Sequence, residues 1–516
     1  MLRALPLLLS TLLLVACGSS SDSAPAGEII SEITRDGEVR DVVLASDVDG
    51  EAIAFTVIEP ETVVEGARYP LVLHSHGYGG SRQATRPTSG LLAELSAAGY
   101  GLISIDERGH GDSGGTIRIL DPELEGRDLL QIVDWAEANL DWLAYRNGNL
   151  ILGATGGSYG GGFQHLIYAL DPQRRLDAIV PEITWHDLRY SLFQGGVFKS
   201  FWASVLSAAG NAAGGGGRQD AEVNEGLVQG LTMNNLDEEK LALLRRHSLI
   251  SYCEEGRLTP IDALYWQSAE DTLFNLNDAV NNYRCVSAQG GDVRLLTKTG
   301  GHDSLVGGGS GEQCGRLDKN QSILDWFDEK LKGLPGRASY IPELCWHLAS
   351  GGEDGVVTSR LPEISQTVQL PAQNLLLQEG TQAAALSQPL FTVAAGGAVL
   401  AGIPRLDLTV SDPAGLEAGD PIVFAALAIR RAGSSTDTLL HPNQVAPVRG
   451  YGAFSLDLVG GMARLNEGDE LRLLLYPSFL PRYVNSGTRV ATPVTVAATV
   501  GLPLLPGDLP QAPANP

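Results

Sequence analysis

The chain has 516 residues, 43% hydrophobic and 19% charged, a globular composition that argues against global disorder. Its formal net charge of −25 repels nucleic-acid phosphates and anionic lipid headgroups, so neither is expected as a partner surface. At about 100–200 residues per domain, the length predicts two or three domains.

Residues 1–16 read MLRALPLLLSTLLLVA: one Arg (Arg3) precedes an apolar run too short to span a bilayer comfortably. Leu14-Val15-Ala16-Cys17 has the form of a bacterial lipobox, which predicts a signal peptide over 1–16 and lipid attachment at Cys17. Residues 17–30, with the small, polar stretch GSSSDSAPAG at 18–27, read as a flexible tether. Gly18 follows the Cys where an Asp would suggest inner-membrane retention. The expectation is an exported bacterial lipoprotein, in the outer membrane if the source is Gram-negative, touching the membrane through its anchor alone. No later apolar run reaches spanning length; 393–403 is too short and too Gly-rich. An exported chain tolerates disulfides; the four remaining cysteines allow three connectivities, of which Cys253–Cys285 with Cys314–Cys345 is favoured because each would close a modest loop.

An α/β domain is predicted over 31–340. Short apolar strands at 69–74, 101–106, 149–154, 177–180, 263–266 and 293–297 alternate with helices at 91–98, 123–140, 160–170, 276–283 and 322–331. That alternation predicts a parallel sheet covered on both faces. Residues 186–250 break the rhythm with Phe193, Phe198, Phe201, Trp202, a Gly run at 214–217 and a charged helix at 237–246. They are expected to form a cap inserted over a site. From about 350 the period changes to two: Leu406, Leu408 and Val410 alternate with Asp407 and Thr409, and Phe454, Leu456 and Leu458 with Ser455 and Asp457. Further strands are expected at 422–429 and 471–475. This predicts a β-sandwich or jelly roll over 350–505. The Pro-rich tail, 506–516, is expected to be disordered.

Three positions carry the chemistry. Gly156-Gly157-Ser158-Tyr159-Gly160 is G-x-S-x-G between a strand and a helix, the setting of a nucleophile elbow. Gly111-Asp112-Ser113-Gly114-Gly115 also fits the pattern, but Ser113 lies beyond its strand with no helix following at once. A Ser hydroxyl needs a base, and the base needs an orienting carboxylate. Asp271 follows one predicted strand and His302 the next, giving the order Ser, acid, base; Glu270 is the rival acid. One oxyanion donor is expected to be the N–H of Tyr159 and another to come from His76-Gly77-Tyr78, through the Tyr78 N–H or hydroxyl. His74 and His76 alternate as a metal pair would, but no further ligand follows at ligand spacing, so no metal or organic cofactor is expected.

Several stretches together resemble the Xaa-Pro dipeptidyl-peptidase and cocaine-esterase family of α/β-hydrolases. They are His76 to Gly80, the block Asp106-Glu107-Arg108-Gly109-His110-Gly111-Asp112-Ser113-Gly114-Gly115, Gly157-Ser158-Tyr159-Gly160-Gly161, Asp271 to Phe274, and Gly300-Gly301-His302. In that family the block containing Ser113 is a structural loop. The family also carries a C-terminal jelly roll, which residues 355–505 resemble through 404–410, 447–450 and 467–483. The resemblance implies Ser158 as nucleophile, Asp271 and His302 as relay, and Tyr159 with Tyr78 as oxyanion donors. It implies a small peptide or ester substrate and leaves open dipeptidyl peptidase, carboxylesterase or acylase. A dipeptidyl peptidase needs an acid for the substrate amine, from Glu182, Asp187 or Glu254, with Trp185 or Trp202 near a proline pocket. From a different class, the chain is a non-catalytic surface protein that binds ligands through its β domain. Oligomeric state is not readable from the sequence.

Overall fold

The computed structural model describes residues 33–516 apart from 214–217, 303–312, 349–354, 442–443, 481, 485, 513 and 516. The expected signal peptide and tether, with Cys17, and the Gly run at 214–217 lie outside the described residues.

A ten-stranded sheet organises the first domain. In chain order its strands are β1 (Val39–Ala45), β2 (Ala52–Ile58), β3 (Leu71–Ser75), β4 (Gly101–Ile105), β5 (Leu152–Gly157), β6 (Leu176–Glu182), β7 (Asp262–Ser268), β8 (Val293–Lys298), β9 (Leu344–His347) and β10 (Gly355–Thr358). Their order across the sheet is β10-β9-β8-β7-β6-β5-β3-β4-β2-β1. The run from β9 to β4 is parallel, and β1, β2 and β10 add antiparallel at the edges. Every residue of β4 is buried, as a strand covered on both faces requires.

Helices α1 (Gly90–Ala97), α2 (Glu125–Asn139) and α3 (Tyr159–Leu170) follow β3, β4 and β5. The insertion after β6 holds α4 (Leu188–Phe193), α5 (Ser200–Ala212), α6 (Ala221–Met233), α7 (Glu238–Arg246) and α8 (Leu249–Glu254). Then come α9 (Leu276–Ser287) and α10 (Lys319–Lys330). On one face of the sheet α2, α3 and α9 bury Ile132, Phe163, Ile167 and Val280 against Leu73, Ile103 and Ile179. On the other, α1 and α10 bury Leu95, Trp326 and Phe327 against Val72, Leu102 and Val180. The cysteines pair as Cys253–Cys285, tying α8 to α9, and Cys314–Cys345, tying β9 to the segment that enters α10.

The second domain is all β. One sheet joins β11 (Gln366–Leu377), β14 (Arg405–Ser411), β18 (Gly452–Asp457) and β21 (Thr492–Leu502). Another joins β12 (Leu386–Thr392), β15 (Ile422–Arg430), β16 (Asp437–Leu439), β17 (Ala446–Arg449) and β20 (Glu470–Tyr476). A third joins β13 (Ala398–Gly402), β19 (Gly461–Leu465) and β22 (Leu504–Pro506). Leu406, Leu408 and Val410 of β14 point inward while Asp407 and Thr409 face solvent. Phe454 and Leu456 are only half buried, because β18 is the edge strand of its sheet. β15 is buried along nearly its whole length. One of its faces lies in the sandwich core, and the other packs Phe424 against Val197 of the cap, with Phe479 and Tyr483.

Three features depart from the sequence expectation. The strand expected at 149–154 is split: Asn149–Leu150 pairs back on Tyr145–Arg146, and the sheet strand begins at Leu152. The edge strands β1, β2, β9 and β10 have no helix between them, so a reading keyed to strand–helix alternation passes over them. The tail expected to be disordered is docked on the first domain. Gln511 bridges to Val356, Ala514 to Arg316, and the Ala512 N–H donates to the Gly355 carbonyl at 3.0 Å. Proline holds φ in the extended range that such bridging uses, and β10 is an edge strand with backbone groups to satisfy.

Candidate active site

Ser158, Asp271 and His302 follow the C-terminal ends of β5, β7 and β8, which are parallel and therefore end on the same edge of the sheet. Open α/β sheets place their ligand crevices at that edge. Ser158 has φ 58° and ψ −117°, a backbone conformation that L residues rarely adopt. The sharp turn requires small neighbours: a Cβ at Gly160 would run into the Ser75 carbonyl oxygen. The Ser158 N–H donates to the Glu182 carbonyl at 2.9 Å, and the Thr184 hydroxyl donates to the Ser158 carbonyl at 2.9 Å. These bonds hold the turn from the next strand.

The Ser158 hydroxyl lies 2.8 Å from His302 Nε2, and His302 Nδ1 lies 2.7 Å from Asp271 Oδ2. Nδ1–H therefore donates to the carboxylate and Nε2 accepts from the serine. Asp271 is fully buried, and its other oxygen accepts the Leu273 and Phe274 N–H groups at 2.8 and 2.9 Å. Glu270 makes no such contact with the imidazole; its own N–H donates to the Gly300 carbonyl at 3.0 Å. The His302 ring is flanked edge-on by Trp202 at 5.4 Å and by Phe274 at 5.2 Å.

Tyr159 opens α3, where the first amides of a helix have no intrahelical acceptor and the dipole favours negative charge. The loop 76–80 lies against the nucleophile, with a Cβ on Gly77 falling 4.0 Å from that of Ser158. The Tyr78 hydroxyl donates to Gln219 of the cap at 3.1 Å. The Gly79 N–H donates to His110 Nε2 at 3.0 Å and fixes the loop from behind. Burial pushes the His110 imidazole down to about 3, which keeps that nitrogen an acceptor.

The other singled-out residues have structural partners. Ser113 is fully buried, donates to the Asp106 carbonyl at 2.6 Å and accepts the Ala54 N–H at 2.8 Å. His74 pairs with the Ser104 hydroxyl at 3.0 Å, and His76 Nδ1 with the Gly77 carbonyl at 2.8 Å. Burial raises the Glu182 carboxyl, but Lys319 at 2.7 Å and Lys298 at 3.7 Å outweigh it and hold the group below its ordinary value. Asp187 caps α4 and pairs with Arg189 at 2.7 Å. Glu254 is exposed and pairs with Arg245. Trp185 lines the cavity beside Ser158, whereas Trp202 is buried behind the histidine.

Two residues hold the acid loop in a role the sequence does not signal, Trp202 having been expected beside a proline pocket instead. Lys199 sits at 1% exposure, with Nζ donating to the Thr272 and Leu273 carbonyls at 3.2 and 3.3 Å. The Trp202 indole donates to the Thr272 hydroxyl at 2.9 Å. Both grip the loop that presents Asp271. Neither stands in a motif; only the fold brings 199–202 to 271–274.

Residues 49–304 match the model of the X-Pro dipeptidyl-peptidase (S15) family. An Escherichia coli protein described as "Uncharacterized 31.7 kDa protein in traX-finO intergenic region" is 30% identical over 165 residues, 32% of this chain and 52% of that protein. The chain spans about half the length of the curated relatives it matches. A CocE/NonD family hydrolase from Staphylococcus aureus shares the fold across both domains, with a TM-score of 0.65 at 16% identity, over 91% of this chain and 94% of that one. An acylaminoacyl peptidase from Pyrococcus horikoshii aligns over 58% of this chain and 43% of its own, with 18% identity and a TM-score of 0.39. The family match is to serine hydrolases and does not favour a non-catalytic ligand-binding protein.

Proposed function

We propose that this chain, whose residues 49–304 are those of the X-Pro dipeptidyl-peptidase (S15) family, hydrolyses ester or amide carbonyls through an acyl-enzyme. The observation that carries the reading is the continuous path from the Ser158 hydroxyl through His302 to buried Asp271, at 2.8 and 2.7 Å. Ser158 Oγ attacks the carbonyl carbon as His302 Nε2 takes the hydroxyl proton. Asp271 keeps the imidazole in the tautomer that accepts at Nε2 and stabilises the imidazolium that forms. The Tyr159 and Tyr78 N–H groups receive the developing oxyanion. His302 returns the proton to the leaving group, and water then releases the acyl group by the same steps in reverse.

A fluorophosphonate probe tests this directly. The unmodified chain is expected to label at Ser158 and to hydrolyse an activated ester. Ser158→Ala is expected to lose the label and at least about 10³-fold in kcat. Full activity in that variant would remove the assignment.

The lipobox ending at Cys17 supports a second reading, that the enzyme works from a lipid anchor on the exported side of a bacterial membrane. Expressed in a bacterial host, the chain should partition into detergent, and Cys17→Ser should move it to the aqueous phase.

A further inference from the structure

Resting on the acyl-enzyme reading above, we infer that the substrate's acyl half is an apolar group without a free amine, seated under the helical cap. A cavity of about 100 Å³ opens at Ser158 and Tyr159 and runs beneath the insertion. Its wall takes an apolar side chain from each of several elements: Leu192 of α4, Leu206 of α5, Leu227 of α6 and Leu244 of α7, with Trp185 and Ile119 from the connecting segments. Ile119 holds φ 64°, a strained value for a β-branched residue, in the loop that projects it into the cavity wall.

The same cavity is poorly built for the α-ammonium of a dipeptide. A buried ammonium needs a carboxylate that is free to take it. Glu182 is occupied by Lys319 and Lys298, Asp187 by its helix cap and Arg189, and Glu254 by Arg245. Among the described lining residues Glu222 is the carboxylate. It already lies 3.3 Å from Arg118 and 3.9 Å from Lys240. An apolar chain asks nothing of these groups and gains by leaving water.

The test compares kcat/KM for acetyl, butyryl, hexanoyl and octanoyl p-nitrophenyl esters with that for Ala-Pro p-nitroanilide, using the full chain. Each added methylene should raise kcat/KM by up to about fourfold until the cavity is filled, the gain expected for burying one CH₂. The anilide should be the poorest substrate. Leu227→Trp, which fills the cavity, should lower the octanoyl-to-acetyl ratio at least about tenfold. A flat or falling series, or a preference for the anilide, overturns the inference. An anilide preference abolished by Glu222→Gln would make Glu222 the amine anchor instead. Fluorophosphonate labelling of Ser158 separates the two levels. Labelling with a flat ester series overturns the pocket assignment alone. No labelling and no hydrolysis removes the acyl-enzyme reading with it.

Discussion

Asp271 and Glu270 are neighbours with the same functional group, and their surroundings separate them. Asp271 is fully buried, holds the imidazole at 2.7 Å and takes two backbone N–H groups. Its replacement by Asn would leave the shape intact and present the wrong hydrogen-bonding face to His302. Asp271→Asn should lower kcat by about 10³–10⁴-fold, while Glu270→Gln should change it less than about threefold. A loss at Glu270 equal to that at Asp271 would exchange their roles. Distance from the end of β7 does not separate the two, whereas the resemblance carried by Asp271 to Phe274 points to Asp271. Ser158 and Ser113 were separable, since only Ser158 stands between a strand and the first residue of a helix.

At the scale of elements, α5 does more than roof the cavity. Lys199, one residue before it, and Trp202 in its first turn hold the acid loop at Thr272 and Leu273, and Trp202 flanks the histidine ring. Burial pulls the Lys199 ammonium below the ordinary lysine range, against the pull of Asp278 and Asp271. The charged groups facing it are Asp271 on the acid loop, Asp278 in the first turn of α9, and Arg482 from the β domain. Lys199→Met keeps the packing and removes the charge and both hydrogen bonds. It is expected to lower kcat about tenfold with little change in KM, as for a lost oriented charge-assisted hydrogen bond. An unchanged kcat would reduce Lys199 to a packing role. The helices themselves were readable from their period; their grip on the acid loop was not, since 199 and 272 are distant in sequence.

At the scale of the molecule, the β domain clamps the cap. The Phe201 N–H donates to the Arg482 carbonyl at 3.3 Å, Ser200 Oγ to the Val484 carbonyl at 3.0 Å, and Ser486 Oγ to the Phe198 carbonyl at 3.2 Å. Asn277 of α9 exchanges bonds with Leu458 and Gly460 at 2.9 and 2.7 Å. Stability should pass through a maximum near pH 6.5. Burial raises Glu107 and Glu125 to about 8, so below that pH the folded state binds protons that the unfolded state does not, and stability rises as pH falls. Burial lowers His110 and His165 to about 3 and His74 to about 4. Below about 6.5 the unfolded state takes up protons at these three histidines, one more than the two carboxyls that still favour the folded state down to about 4.5, so on balance stability falls as pH falls further. Each group contributes up to about 1.4 kcal/mol per pH unit within its window. Urea midpoints at pH 8, 6.5 and 4.5 check this, and a monotonic trend would contradict it. Replacing Cys253 and Cys285 together by Ala opens a loop with a separation of 32 residues and should cost about 3–4 kcal/mol, read from the same urea transitions.

Local chemistry was open to reading from the sequence because it acts over a few residues. A strand, a small-residue turn and a helix around Ser158 declare an elbow, and alternation in 405–410 declares a two-faced strand. Those features located the nucleophile, the base, the cap insertion and the change from α/β to β. What joins residues far apart in the chain was decided only on folding. That includes which carboxylates are neutralised by lysines and arginines, how apolar the cavity is, and where the tail docks. The reason is that burial and ion pairing depend on every element that packs around a group, whereas turn geometry and periodicity depend on its immediate neighbours alone.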